Sequence, residues 1–270
     1  MNADTNGLPE TERNLRRRLR RPEPFLALFS IIPAQEIVEI AAIAGFDGVI
    51  LDTEHGSYGS ERLPPLILAA RARGIHPIVR VRHNEPSLIG AALDAGAHGV
   101  LVPQIGSGKE AMDAVSAARF APKGTRGANP WVRAADYGAD PAWFEKANEE
   151  AAVLLMVEGP GGADSLDAIM ATGELDAIFL GPVDLSHSLG VPGQIEHPKV
   201  VDTISRTIFR SNERRIAAGV FTPSADAAKD WIVKGARFVA VGVDTGHVKI
   251  AFGRIVKEIR GSAESRPVGG

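Results

Sequence analysis

The chain has 270 residues, 44% apolar and 23% charged, with no cysteine and a formal net charge of -3 at neutral pH. Lack of cysteine excludes disulfides, thiolate zinc centres and cysteine nucleophiles. The near-balanced charge supplies no global field for nucleic acid, so a small-molecule partner is expected. No apolar run is long enough to cross a bilayer and no secretory apolar core stands near the N-terminus, which makes a non-membrane, cytoplasmic chain the expectation. The length suits one α/β barrel, although it also admits two small domains.

Residues 1–24 read as a basic helical extension. The segment from Arg13 to Arg21 is rich in arginine, but Asp4, Glu10 and Glu12 precede it, which is unlike a transit peptide and reads as a solvated helix. From Phe25 onward, short apolar runs alternate with segments of helical periodicity, the pattern of parallel βαβ units. Eight runs are countable: Phe25 to Ile31, Gly48 to Leu51, Pro77 to Val81, Gly99 to Val102, Ala152 to Val157, Ala177 to Leu180, Ile216 to Phe221 and Phe238 to Val241. Four of them are entered through a glycine, namely Gly45, Gly96, Gly173 and Gly235. A glycine just past a helix takes the left-handed conformation that caps the last carbonyls, so these entries read as tight αβ loops.

The opposite ends of the runs open into Asp52-Thr53-Glu54-His55, Pro103-Gln104, Gly181-Pro182-Val183-Asp184 and Gly242-Val243-Asp244. Polar residues therefore gather at strand C-termini, the face where closed parallel barrels place their active sites. An open doubly wound sheet also puts ligands at strand ends, but no Gly-x-Gly-x-x-Gly fingerprint follows the first strand. The prediction is a (β/α)8 TIM barrel over residues 25–260, with a flexible tail at 261–270. The stretch from Ala121 to Asp140, with Pro122, Gly124, Gly127, Pro130 and Gly138, reads as a functional loop.

Glu158 and Asp184 each follow an apolar run, 26 positions apart, which fits one strand-to-strand step. Neighbouring strands lie about 4.8 Å apart, so the two carboxylates can converge. Two carboxylates sharing a site repel each other unless a proton or a cation neutralises them, and all-oxygen ligation suits Mg2+ or Mn2+. The same residues also fit plain helix caps. Asp52, Glu54 and His55 form a candidate general-base unit, since a carboxylate beside an imidazole fixes its tautomer; a lone Glu-His step in a loop is more often structural than catalytic. Arg80 ends an apolar strand, where its charge needs an anionic partner, either a substrate or a structural carboxylate. The turn at Gly181-Pro182 offers backbone N–H groups to a carboxylate.

These stretches resemble the HpcH/HpaI class II pyruvate aldolases, a family that includes macrophomate synthase and rhamnonate-pathway aldolases. The resemblance runs through Ala44-Gly45-Phe46-Asp47, Asp52-Thr53-Glu54-His55, Val79-Arg80, Leu93-Asp94-Ala95-Gly96 and Leu101-Val102-Pro103-Gln104. It continues through Gly124-Thr125-Arg126-Gly127, Glu158, Gly181-Pro182-Val183-Asp184-Leu185-Ser186 and Val239-Ala240-Val241-Gly242-Val243-Asp244. It implies a carbon-carbon lyase that cleaves a 4-hydroxy-2-oxo acid to pyruvate and an aldehyde, with oxaloacetate decarboxylation as a related activity. Glu158 and Asp184 would hold a divalent cation, Mg2+ or Mn2+ first and Co2+ or Zn2+ next. His55, oriented by Asp52, would move protons; Glu54 would support the water that relays them; Arg80 would stabilise the enolate oxygen. Gln104 and the backbone of Gly181, Pro182, Val183 and Asp184 would contact the substrate. Asp94 would be supplied to a neighbouring subunit, in a homohexamer (a trimer of dimers) whose last helix, here from Thr245 to Ile259, is exchanged between partners.

One departure stands out: Met156-Val157-Glu158-Gly159-Pro160-Gly161-Gly162 occupies the place where many relatives carry Gln and, after the glutamate, Thr. A thioether cannot donate the hydrogen bond of an amide, which bears on substrate scope. Phe221, ending the seventh run, is expected to narrow the acceptor pocket or else to pack in the core. Three other readings compete: a CoA-thioester lyase of the citryl or malyl kind, a phosphate-binding barrel using Val243-Asp244-Thr245-Gly246, and a non-catalytic pyruvate-binding barrel.

Overall fold

The computed structural model describes residues 14–159 and 161–264. Every apolar run forms a strand: β1 (Phe25–Ser30), β2 (Gly48–Asp52), β3 (His76–Arg80), β4 (Gly99–Val102), β5 (Ala152–Met156), β6 (Ala177–Leu180), β7 (Ala217–Thr222) and β8 (Phe238–Val243). All pairs are parallel and follow chain order, and β1 pairs with β8 to close the barrel. Closure removes the open doubly wound sheet from consideration.

Helices α1 (Leu15–Leu19), α2 (Gln35–Ile43), α3 (Leu63–Ala72), α4 (Pro86–Asp94), α5 (Gly108–Ala117) and α6 (Trp143–Glu150) accompany the first five strands. Then come α7 (Leu166–Met170), α8 (Pro182–Ser188), α9 (Pro198–Glu213), α10 (Ala225–Val233) and α11 (Asp244–Glu264). The entry glycines behave as their spacing predicts: φ is 95° at Gly45, 99° at Gly96, 80° at Gly173 and 98° at Gly235. A side chain in those conformations would be strained, so glycine there turns each helix into the next strand at low cost.

Side chains alternate along each strand, and the alternation builds two cores. Phe25, Phe29, Ile50, Ile78, Leu101, Met156, Phe179 and Phe238 pack inside the barrel. Val49, Leu51, Val79, Val100, Val153 and Leu155 pack outward against the helices. Continuing the inward parity by one step places Asp52 after Ile50, Arg80 after Ile78 and Glu158 after Met156 at the barrel mouth. Asp52 and Arg80 are moreover register partners.

Two expectations change. The arginine-rich segment is not a solvated helix: Leu15 and Leu19, one turn apart on α1, belong to the interior cluster and stop the bottom of the barrel. Arg16, on the same helix, is buried and pairs with Asp176 at 2.8 Å and Glu174 at 3.1 Å. Residues 1–13, including Arg13, lie outside the described residues. At the other end, α11 keeps helical backbone to Glu264, beyond the expected start of the tail; 265–270 lie outside the described residues. Every residue of α11 from Lys249 to Arg260 is exposed, Ile250, Phe252, Ile255, Val256 and Ile259 among them.

The stretch from Ala121 to Asp140 folds back on the barrel wall. Arg126 is buried, with its guanidinium 4.5 Å from the Phe120 ring centre and 5.4 Å from that of Trp143, and it donates to Asp94 at 2.6 Å. Among the described residues, no helix is long and apolar enough to cross a membrane.

Candidate active site

Four carboxylates and one guanidinium meet where β2, β3, β5 and β6 end. Arg80 lies at the centre. Its Nε donates to Asp52 Oδ1 at 2.8 Å and Nη2 donates to Asp52 Oδ2, a two-pronged contact that fixes the plane of the guanidinium. Nη1 stands 3.2 Å from Glu54 Oε2, and the flat face lies 4.8 Å from the ring centre of Phe29. Phe29 in turn meets Phe221 edge-on at 5.9 Å, so Phe221 supports the floor beneath Arg80 while remaining partly exposed at the rim. Phe29 was not singled out from the sequence. Its inward parity, one residue from the end of β1, is the signal that could have found it.

Asp52 differs from its expected role. Besides Arg80, its carboxylate accepts from the backbone N–H groups of Glu54 (3.0 Å) and His55 (3.3 Å), so it shapes the loop rather than the imidazole. The His55 ring is largely exposed, and its ion-pair neighbour is Glu54, with Nε2 4.0 Å from Oε2. Burial pushes the Glu54 carboxyl above its ordinary range, while Arg80 pulls it down. Gln104 donates from its side chain to Glu54 Oε1 at 3.3 Å and from its backbone to Glu158 Oε1 at 3.4 Å. That second contact needs φ of 58° at Gln104, a left-handed conformation held in place at the site.

Glu158 is only 4% exposed, and its Oε2 accepts no hydrogen bond among the described residues. Burial pushes the carboxyl up to about 7, the nearby charges of Asp184 and Glu54 add to the rise, and Arg80 opposes it. Asp184 lies in the exposed first turn of α8. A methyl group placed on Gly181 would sit 2.5 Å from Glu158 Oε2 and 3.5 Å from Asp184 Oδ2, so both oxygens border one small space that only glycine leaves open. The chain itself leaves negative charge in excess there. An orphaned buried carboxylate oxygen beside a second, exposed carboxylate is a donor set that fits a hard divalent cation retaining water ligands. Among the described residues, no group of three or more His, Cys, Asp or Glu forms a fuller metal cage.

The first-turn N–H groups of α8 at Val183 and Asp184 have no intrahelical acceptor, and Val183 is 47% exposed at the mouth. Asp94 is placed elsewhere: it closes α4 at the far end from the mouth and holds Arg126. Met156 is buried within the barrel, one inward step below Glu158. The cup at Val243-Asp244-Thr245-Gly246 is filled by the chain itself, because Asp244 accepts from the N–H groups of Ile31 (3.0 Å), Ile32 (2.9 Å) and Thr245 (2.7 Å). A phosphate there would meet a carboxylate instead of free donors, which removes the phosphate-barrel reading.

Residues 26–251 match the model of the family described as HpcH/HpaI aldolase/citrate lyase. The chain belongs to this family. It is 35% identical over 221 residues to a 5-keto-4-deoxy-D-glucarate aldolase of Salmonella paratyphi C (strain RKS4594), covering 82% of this chain and 86% of the relative. Among solved structures, an HpcH/HpaI aldolase/citrate lyase family protein from Burkholderia cenocepacia J2315 superposes with a TM-score of 0.87 at 34% identity, covering 91% of this chain and 98% of that one. A citrate synthase, SbnG, gives a TM-score of 0.84 at 29% identity, covering 94% of this chain and 100% of that one. The family is one of lyases, and this chain is an enzyme of that class.

Proposed function

We propose that this lyase is a divalent-cation-dependent aldolase that reversibly cleaves a 4-hydroxy-2-oxo acid to pyruvate and an aldehyde. The observation that carries the reading is the pair of Glu158 and Asp184: two carboxylates face one small space, one of them buried with an oxygen that has no partner among the described residues. When bound, Mg2+ or Mn2+ would neutralise that pair and draw electron density from the oxo group of the substrate, raising the acidity of the neighbouring carbon.

The remaining work falls to the chain. Asp52 holds the Arg80 guanidinium by one edge, leaving Nη1 free of it and preorganised to donate to an oxygen on which enolate charge develops. The N–H groups of Val183 and Asp184 bind the substrate carboxylate, favoured by the helix terminus. His55, exposed at the mouth, takes the proton from the 4-hydroxyl during cleavage and returns one to the three-carbon fragment, with Glu54 as its nearest carboxylate. Gln104 keeps Glu54 and Glu158 in place. Met156 brings only a thioether beneath the site, so polar recognition of the substrate comes from the rim.

A hydroxy-oxo diacid is the donor class favoured by the relatives named 5-keto-4-deoxy-D-glucarate aldolase. In such a compound, carboxylate, oxo carbon, methylene and carbinol follow one another in the order that cleavage to pyruvate requires. The likeness to a citrate synthase favours one second reading, chemistry on a CoA thioester at the same carboxylate pair. We place Asp94 in the site of a neighbouring subunit, because it stands away from the mouth of its own barrel. The exposed apolar residues of α11 fit the exchange of this helix in a homohexamer.

The decisive assay measures pyruvate release from a panel of 4-hydroxy-2-oxo acids, before and after chelation, with ions restored singly. Chelator-sensitive release restored by Mg2+ or Mn2+ supports the aldolase. Activity confined to CoA thioesters would replace it with the second reading.

A further inference from the structure

At the bottom of the barrel, opposite the mouth, a cavity of about 420 Å³ is lined by Arg20, Arg214, Arg215 and Arg237 together with Asn212 and Asp176. Asp176 is the sole carboxylate of the lining among the described residues, and it is already engaged by Arg16 at 2.8 Å and Arg119 at 3.5 Å. Arg214 is partly held by Asp167 at 2.8 Å, and the one hydrogen bond of the Arg237 side chain among the described residues goes to the carbonyl of Arg21, at 3.4 Å. Arg20 and Arg215 have no carboxylate partner among the described residues. The chain as a whole carries a formal net charge of -3, whereas four arginines and a single carboxylate line this cavity among the described residues.

Arg215 carries a second signal. It stands one residue past the cap of α9, the place that glycine takes after α2, α3, α4 and α10, at Gly45, Gly74, Gly96 and Gly235. At Arg215, φ is 59°, so a bulky residue occupies a left-handed turn that glycine would occupy without strain. Retaining arginine there puts a cation on the cavity at the expense of backbone comfort.

We propose that this cavity binds a small molecule carrying two or more phosphate groups. Planar guanidinium forks match phosphate oxygens two at a time, and several of them facing one hollow are best neutralised by a compact multivalent anion. The proposal is independent of the chemistry assigned to the mouth.

Calorimetric titration of the full-length, metal-free chain with tripolyphosphate tests it, with inorganic phosphate and a tricarboxylate as comparison ligands. Saturable binding of one tripolyphosphate per chain is expected, tighter than either comparison ligand and weakened by salt. Arg215→Gly should lower the affinity roughly tenfold or more, since each charge-assisted contact is worth about that factor. Its melting temperature should not fall, because glycine suits the turn. Arg237→Gln should weaken binding likewise. Absence of saturable binding at millimolar tripolyphosphate, or unchanged affinity in both variants, would overturn the site. A tricarboxylate binding as tightly as tripolyphosphate would overturn its assignment to phosphate.

Discussion

At the bottom of the barrel, Asp176 accepts from Arg16, from Arg119 and from the Val153 N–H group, whereas at the mouth Glu158, also buried, has one oxygen with no donor among the described residues. Both carboxylates have lost most of their water. One has been given guanidinium partners by helices α1 and α5 and their flanks; the other faces Asp184 and Glu54, and Arg80 is largely committed to Asp52. A buried charge completed within the chain serves the fold, and one left incomplete serves something that arrives later. Substitutions at the two ends should therefore behave oppositely.

The largest expected effect is at the mouth. Glu158→Gln and Asp184→Asn each change little volume but remove a carboxylate proposed to hold the cation, and turnover should fall by roughly a thousandfold while circular dichroism and melting remain those of a folded barrel. Arg80→Lys comes next, with a fall in kcat of roughly a hundredfold, because an ammonium cannot keep the two-pronged contact with Asp52 and still present a donor above Phe29. Steady-state kinetics at saturating Mg2+ reads both. Asp176→Asn should leave kcat and cation affinity untouched but cost about 3 kcal/mol of stability or more, since it strands Arg16 and Arg119 in the interior. Denaturant unfolding would show this as a lowered midpoint.

The smallest effect has the opposite sign. In the metal-free chain the Glu158 carboxyl is raised from its ordinary value to about 7, so the folded state holds the proton more tightly than the unfolded chain. Its destabilising contribution is absent below the unfolded value, grows as pH rises and is complete above about 7. Glu158→Gln should therefore melt higher than the parent at alkaline pH without metal, with the difference vanishing in acid. A parent that melts higher under those conditions would place Glu158 with the structural charges.

Much of this was legible in the residue pattern, and the reasons differ by element. The strands could be read because apolar runs and αβ-turn glycines are local signals, and Gly45, Gly96, Gly173 and Gly235 all adopt the left-handed turn. Glu158 and Asp184 could be placed on one rim because each follows an apolar run, and consecutive parallel runs end on the same side of the sheet. The partner of Asp52 was not legible: its neighbour in sequence is His55, but its neighbour across the sheet is Arg80, and register decides between them. The buried role of α1 was hidden for a related reason. Its arginines dominate the composition, whereas Leu15 and Leu19 decide which face turns inward, and Asp176, far along the chain, makes burial of Arg16 tolerable.

The central claim is that Glu158 exchanges its proton for a cation shared with Asp184. Calorimetric titration of the chain with Mg2+ from about pH 5.5 to about pH 8.5 tests it most directly. The predicted result is an affinity that drops about tenfold per pH unit below neutrality, levels off above it, and is lost in Glu158→Gln. Binding that ignores pH across that range, or that survives in Glu158→Gln, would contradict it.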